Sequence, residues 1–127
     1  MIGVLKEIET ATAKISLLDG GVIRVGIIDG ATLTAESLEE NYMIYCELME
    51  GDSAPFLIIV NETATIETSG REEYNKKTRK EVRKKDALVI KNPATMLLIN
   101  SQIKFVKPII PTRVFLDEAS ALRWLLN

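Results

Sequence analysis

Five consecutive apolar residues, Phe56-Leu57-Ile58-Ile59-Val60, follow Pro55 near the middle of the 127-residue chain and indicate its architecture. A strand with one face in water alternates polar and apolar residues, whereas an unbroken apolar strand is typical of a central parallel strand that is buried on both faces. Gly51 precedes the run and is expected to end a helix. The run therefore predicts a largely parallel sheet that is covered by helices.

The segments before this run predict a hairpin and a helix. Residues 13–18 and 22–28 are rich in β-forming residues, and Asp19-Gly20-Gly21 between them supplies the positive φ that a tight turn requires. Thr34 is expected to cap a helix with one apolar stripe. Residues 1–10 are compatible with an edge strand or a short helix. The stripe consists of Leu38, Tyr42, Tyr45 and Met49.

The segments after the run alternate between helix and strand. Ser69 and Glu72 have the spacing of a capping box, which predicts a basic helix that extends to about residue 85. A short strand is expected at 87–90, and Asn92-Pro93 is expected to open a helix that extends to about residue 105. A last strand at 113–116 and a final helix capped by Asp117 complete the order ββαβαβαβα. This order predicts a single α/β domain over residues 1–127, with right-handed crossovers and about four helices.

The composition limits the chemistry that the chain can perform. Cys46 is the only cysteine, so a disulfide within the chain and a multi-cysteine metal site are both excluded. The chain has no histidine, which removes the commonest general base and the commonest transition-metal ligand. Carboxylate and lysine chemistry remain open. We expect a protein that is not an enzyme and that has no metal and no cofactor.

Charge is distributed unevenly along the chain. Twelve acidic residues and three basic residues precede position 71, whereas residues 71–85 contain eight basic residues. This asymmetry could orient a charged partner, although a solvated helix would have the same pattern. Tyr74 is the only aromatic residue of the basic run, so nucleic acid binding is not expected. The apolar runs are far shorter than the ~20 residues of a membrane span, and the charged N-terminus is not typical of a secretory signal, so a cytoplasmic location is expected.

The C-terminal third carries a family resemblance. Asn92-Pro93, Lys107-Pro108 and the sequence Pro-Thr-Arg-Val-Phe-Leu-Asp-Glu at 111–118 look like the ending of bacterial SpoIIAA-like proteins. Together with the order of elements, this ending resembles the STAS superfamily, the fold of anti-sigma-factor antagonists, and more closely its SpoIIAA-like branch, which is grouped with SEC14-type lipid-binding folds. The resemblance implies a SpoIIAA-like (STAS) fold with a mixed, mostly parallel sheet.

A second match follows the central strand. Antagonists of anti-sigma factors have an Asp-Ser-Ser-Gly sequence whose first serine is phosphorylated by the partner kinase, and Glu67-Thr68-Ser69-Gly70 stands at the corresponding place. Here Glu replaces Asp, Thr replaces Ser, and Arg71-Glu72 replaces the downstream Leu-Gly. The resemblance implies that Thr68 and the adjacent Ser69 are phosphoacceptor-like, although both could simply cap a helix. The interaction surface implied around them consists of Glu67, Gly70, Arg71, Lys76, Lys80 and Arg83.

These observations favour a non-enzymatic regulatory module that binds a protein partner, either a kinase or another regulator, and that is switched by phosphorylation near Thr68. Pairing of the acidic helix with the basic helix could also form a homodimer. The alternative is a SEC14-like domain that binds a small hydrophobic ligand or lipid. Its basis is the apolar helix at 96–106, which would look the same if it only packed on a core.

Overall fold

Six strands form one mixed sheet in the computed structural model, which describes residues 3–74, 82–105 and 110–127, the side chains of 102–105 excepted. The order across the sheet is β1-β2-β3-β5-β7-β8. The first two pairings are antiparallel and the other three are parallel. These strands are β1 (Val4–Glu9), β2 (Ala13–Leu18), β3 (Ile23–Ile27), β5 (Ala54–Val60), β7 (Arg83–Ile90) and β8 (Thr112–Phe115).

The described residues also contain four helices and a small two-stranded parallel sheet. The sheet pairs β4 (Thr32–Leu33) with β6 (Thr65–Ile66). Within the described segments, no helix is both long and apolar enough to cross a membrane. The helices are α1 (Ala35–Met49), α2 (Thr68–Tyr74), α3 (Pro93–Phe105) and α4 (Glu118–Leu126).

Side chains of β5 alternate between two apolar layers. Phe56 packs in the core beneath α1, whereas Leu57 packs in the core beneath α4. Both side chains are fully buried, because β3 and β7 flank the strand within the sheet and helices cover both of its faces. The prediction that this apolar run is a central parallel strand is confirmed.

Local signals placed most element boundaries correctly. The predicted hairpin connects β2 to β3, and Gly20 and Gly21 in its turn have φ of 93° and 84°. Thr34 caps α1, and its hydroxyl accepts from the backbone N–H of Ser37. Asn92 and Asp117 accept from the first backbone N–H groups of α3 and α4. The N-terminal segment, for which strand and helix were both open, forms the edge strand β1.

The predicted extent of the basic helix is wrong. Residues 83–85 belong to β7, which is twice as long as the strand predicted at 87–90. The predicted cap is also wrong, because α2 begins at Thr68, and the Arg71 N–H donates to the carbonyl of Glu67. Ser69 lies inside the first turn, where its hydroxyl accepts from the N–H of Ala35, 3.3 Å away. This contact joins the start of α2 to the start of α1.

Candidate functional site

A cavity of about 340 Å³ lies between the sheet and helices α1 and α2. Its floor is formed by the side chains of β3, β5 and β7 that point toward these helices, and its upper wall is formed by α1 and α2. The small β4–β6 sheet and Ile99 of α3 complete the lining. Most of the described residues that line it are apolar: Val25, Ile27, Leu33, Leu38, Phe56, Ile58, Val60, Ala64, Ile66, Val82, Leu88 and Ile99.

The spacing of apolar residues in β5 and in α1 accounts for the two facing walls of the cavity. In β5, residues two positions apart share a face, so Phe56, Ile58 and Val60 all line the cavity. In α1, Leu38 and Tyr45 belong to the stripe predicted from helical spacing, and both line the opposite wall. The ring of Tyr45 meets the ring of Phe56 edge-on, with centroids 4.8 Å apart. The cavity is thus a gap within the layer where helix and sheet cores meet.

Tyr74, Arg83 and Asp86 form a polar cluster beside the cavity, which we call the Arg83–Asp86 cluster. Arg83 and Asp86 are buried, and Tyr74 is half-buried. The Tyr74 hydroxyl and the Arg83 Nη1 group both donate to Oδ2 of Asp86. Arg83 Nη2 also donates to the Tyr74 carbonyl oxygen at 2.9 Å, and its guanidinium lies 4.1 Å from the centroid of the Tyr74 ring. Tyr74 and Arg83 line the cavity. The cluster therefore connects α2 to the sheet at the polar end of the cavity.

Burial dominates the electrostatics of this cluster. The Asp86 side chain is fully buried, and its Oδ1 atom has no hydrogen-bond partner among the described residues. Burial raises the pKa of Asp86, because the charged carboxylate loses its water, while the Arg83 guanidinium and the Tyr74 hydroxyl oppose that shift. Burial also raises the pKa of Tyr74, and the neighbouring Asp86 charge adds to the effect. Tyr74 is consequently a neutral hydrogen-bond donor at physiological pH.

The hydrogen-bonding groups of the cluster are largely engaged with one another. Oδ2 of Asp86 already accepts two hydrogen bonds, and Arg83 is paired with that carboxylate. Among the described residues, no group of three or more His, Cys, Asp or Glu side chains is arranged to hold a metal ion. On the α1 wall, the Asn41 side chain donates to Thr12 Oγ1 and accepts from Thr10 Oγ1. The surface that a ligand would contact in the cavity is therefore mainly apolar.

A second depression lies at the carboxyl ends of β5 and β7, next to the start of α3, and it is more polar. Its side chains are used by the fold. Asn92 Nδ2 donates to Glu62 Oε1, and Asn92 Oδ1 caps α3. Asn61 donates to the Ile27 carbonyl oxygen at 2.7 Å, and it also accepts from the Thr63 N–H. We therefore regard the apolar cavity as the candidate site.

The residues predicted for the interaction surface occupy different environments. Glu67, Thr68, Ser69 and Arg71 are exposed at the start of α2. Gly70 is buried, because α2 approaches β4 so closely at this point that an ideal Cβ on Gly70 would lie 2.6 Å from the Leu33 carbonyl oxygen. Lys76 and Lys80 lie outside the described residues.

Arg83 does not lie on the predicted surface, since it is only 6% exposed and belongs to a strand. Sequence reasoning missed the Arg83–Asp86 cluster entirely. The one available signal was Asp86, a single acidic residue between a basic run and the apolar residues that follow it.

A family model described as a domain of unknown function, DUF7793, matches residues 16–127. The chain belongs to the DUF7793 family. No curated protein matches this DUF7793 chain in sequence.

Solved structures relate the DUF7793 chain to a known fold. An uncharacterised protein of the DUF3478 family from Shewanella loihica PV-4, which has a SpoIIAA-like fold, is similar over 98% of this chain and 95% of its own, with 17% identity and a TM-score of 0.57. A protein of unknown function from Arthrobacter sp. FB24 is 22% identical over 94% of this chain and 96% of its own, with a TM-score of 0.34. The Shewanella structure confirms the predicted SpoIIAA-like fold of the DUF7793 chain.

Proposed function

We propose that this chain is a non-enzymatic binding module that holds a small, mostly apolar ligand in the cavity between its sheet and helices α1 and α2. The observation that carries this proposal is the cavity itself, at about 340 Å³ and with a mainly apolar lining. Ligand sites in proteins have volumes of about 300–1,000 Å³, and most of their surface is apolar with a few fixed polar groups.

Fluorescence of the uncharged probe N-phenyl-1-naphthylamine tests the proposal directly. The probe is expected to bind the wild-type protein and to become brighter in the apolar cavity. Ala64 lines the cavity, and Ala64→Phe adds a phenyl ring that would occupy part of the space that the probe needs. We expect this variant to bind the probe at least tenfold more weakly than the wild type does.

Ala119→Phe is the matched control, because Ala119 is exposed on α4, on the other face of the sheet. It introduces the same ring without touching the cavity and should bind the probe as the wild type does. Equal probe binding by both variants, or no binding by the wild type, would contradict the proposal.

A phosphorylation-switched regulatory module is the second candidate, and the exposure of Thr68 favours it. A kinase can reach this side chain at the first position of α2, and the exposed Arg71 lies one turn further along. A phosphate here would lie near an arginine, an arrangement that can order a segment or create a docking surface. Phosphopeptide mass spectrometry of protein purified from its native cells tests this candidate. Unmodified Thr68 and Ser69 under all growth conditions would exclude it.

A further inference from the structure

The charged groups of the cavity wall differ in whether they are already paired. Arg83 is paired with Asp86, and Glu73 is buried and has an interaction partner. Arg71 also lines the cavity, but its side chain is exposed, and no salt bridge joins it to another of the described residues. Because the same side chain contributes to the wall and contacts solvent, Arg71 marks a place where the cavity opens to the surface. Among the described residues, Arg71 is therefore a cation without a paired acid, and it stands at the mouth of the apolar cavity.

We propose that the cavity selects an alkyl carboxylate, whose chain lies between the sheet and the helices and whose carboxylate pairs with the guanidinium of Arg71. This inference rests on the function proposed above and adds the ligand class. The planar guanidinium fork matches the two oxygens of a carboxylate, and the pairing would supply Arg71 with an anionic partner that no described residue gives it. The chain supplies the apolar surface that the lining residues require.

The volume limits the length of the chain. At about 30 Å³ for each small heavy-atom group, which is the share of a water molecule in the liquid, the 340 Å³ cavity holds about eleven such groups. Decanoate, with twelve non-hydrogen atoms, fills this space if its carboxylate lies at the mouth. Each methylene added to shorter acids should strengthen binding roughly fourfold until the cavity is full.

Displacement of N-phenyl-1-naphthylamine by decanoate, decan-1-ol and decylamine at pH 7.5 and low salt tests the inference. The three ligands share a ten-carbon skeleton and differ in the head group, which is an anionic carboxylate, a neutral hydroxyl or a cationic ammonium. We expect decanoate to bind about fivefold more tightly than decan-1-ol, the equivalent of about 1 kcal/mol for an exposed ion pair, and decylamine to bind most weakly. The advantage of decanoate should shrink in 0.5 M NaCl, because salt screens exposed charges.

Two arginine variants locate the head group. Arg71→Gln should abolish the preference for decanoate over decan-1-ol, whereas Arg71→Lys, which keeps the charge, should retain a preference for the acid. Arg123→Gln is the control, since Arg123 is exposed on α4, on the other face of the sheet, and it should behave as the wild type does. Arg71 is itself exposed, so its replacement should not impair folding.

The outcomes separate this inference from the proposed function. If decan-1-ol displaces the probe as well as decanoate does, or if Arg71→Gln keeps the preference for the acid, selection of a carboxylate by Arg71 is refuted while the apolar site stands. If none of the three ligands displaces the probe, and Ala64→Phe binds it as the wild type does, the proposed function fails as well.

Discussion

Replacement of Arg83 by methionine should destabilise the protein strongly at neutral pH. Arg83 and Asp86 form an ion pair in which the side chains are only 6% and 1% exposed. Water therefore cannot take over the role of the lost partner, and Arg83→Met leaves the Asp86 carboxylate buried without a counter-charge. Breaking a buried pair in this way costs about 3–5 kcal/mol, and methionine retains much of the packing of the arginine stem.

The exposed pair between Lys14 and Glu7 provides a reference within the same protein. Its charged atoms are 3.4 Å apart, but the side chains are 53% and 42% exposed. Exposed pairs of this kind contribute roughly 0–1 kcal/mol, so Lys14→Met should change stability by less than about 1 kcal/mol. Arg83→Met and Lys14→Met thus compare the loss of a cation from a buried ion pair with the loss of a cation from an exposed one.

Urea denaturation, followed by the fluorescence of Trp124, measures both effects. With a urea dependence of about 2 kcal/mol per molar, a loss of about 4 kcal/mol lowers the Arg83→Met midpoint by about 2 M. Typical domains are stable by about 5–15 kcal/mol, so the variant should still fold. The Lys14→Met midpoint should fall by less than about 0.5 M.

The deficit of Arg83→Met should shrink as the pH falls. Burial already raises the pKa of Asp86, and removal of Arg83 eliminates an influence that lowers it, so the folded pKa rises further above its unfolded value. For a carboxyl with a raised folded pKa, stability is greatest below the unfolded value and is lost as the pH rises through the folded pKa. Between pH 7 and pH 4 the deficit should therefore recover, by at most about 1.4 kcal/mol per pH unit.

A triple variant supplies the internal check. Arg83→Met, Asp86→Leu and Tyr74→Phe together remove both charges and the hydroxyl that donates to Asp86. Apolar replacement of a whole buried pair is often neutral or stabilising, so this variant should be within about 1 kcal/mol of the wild type and should lack the pH-dependent deficit. If Arg83→Met costs no more than Lys14→Met, or if the triple variant is as unstable as the single one, the proposed burial penalty is refuted.

Two further substitutions test other parts of the structure. Gly70→Ala places a Cβ about 2.6 Å from the Leu33 carbonyl oxygen and should destabilise the protein by about 1–3 kcal/mol in urea denaturation, whereas Gly3→Ala, with no atom within 4 Å of its Cβ, should change stability by less than about 0.5 kcal/mol. Hydrogen bonds from Arg24 lower the pKa of Glu118, so the contribution of this half-exposed pair exists above pH 4.5 and is lost as the pH falls through the lowered value. Glu118→Gln should therefore cost about 0.5–1 kcal/mol at pH 7 and little at pH 3, and an equal cost at both pH values would contradict this assignment.

The parts of the fold that could be predicted from sequence depend on local physics. An unbroken apolar strand needs cover on both faces, and β5 has it. Thr34, Asn92 and Asp117 each satisfy the N–H groups at the start of the helix that follows them, a requirement of any helix wherever it packs. Such signals identify where elements begin, and together they predicted the alternation of strands and helices after the hairpin, although not the short strands β4 and β6.

The basic run could not be divided correctly because tertiary contacts decide where it becomes a strand. In β7, the Lys85 Nζ atom donates to the Trp124 carbonyl oxygen at 3.0 Å and lies 4.7 Å from the centroid of the Trp124 ring, on the α4 side of the sheet. The next residue, Asp86, points to the opposite side and pairs with Arg83. Lys85 and Trp124 are 39 positions apart, so the sequence around Lys85 does not reveal their contact. The basic residues were therefore predicted to lie on a solvated helix.

The candidate site was still harder to predict, because it is defined by space that side chains leave empty. Ile58, Tyr45 and Ile99 are apolar in the periods expected of core residues, and nothing in those periods distinguishes a filled core from a cavity. Arg71 was predicted as part of a protein-binding surface because of its place beside Thr68, and its side chain is exposed. Its place in the cavity wall depends on how α2 packs over the β4–β6 sheet, which in turn depends on the absence of a side chain at Gly70. The close approach of α2 to β4 at Gly70, like the cavity itself, is visible only in the folded geometry.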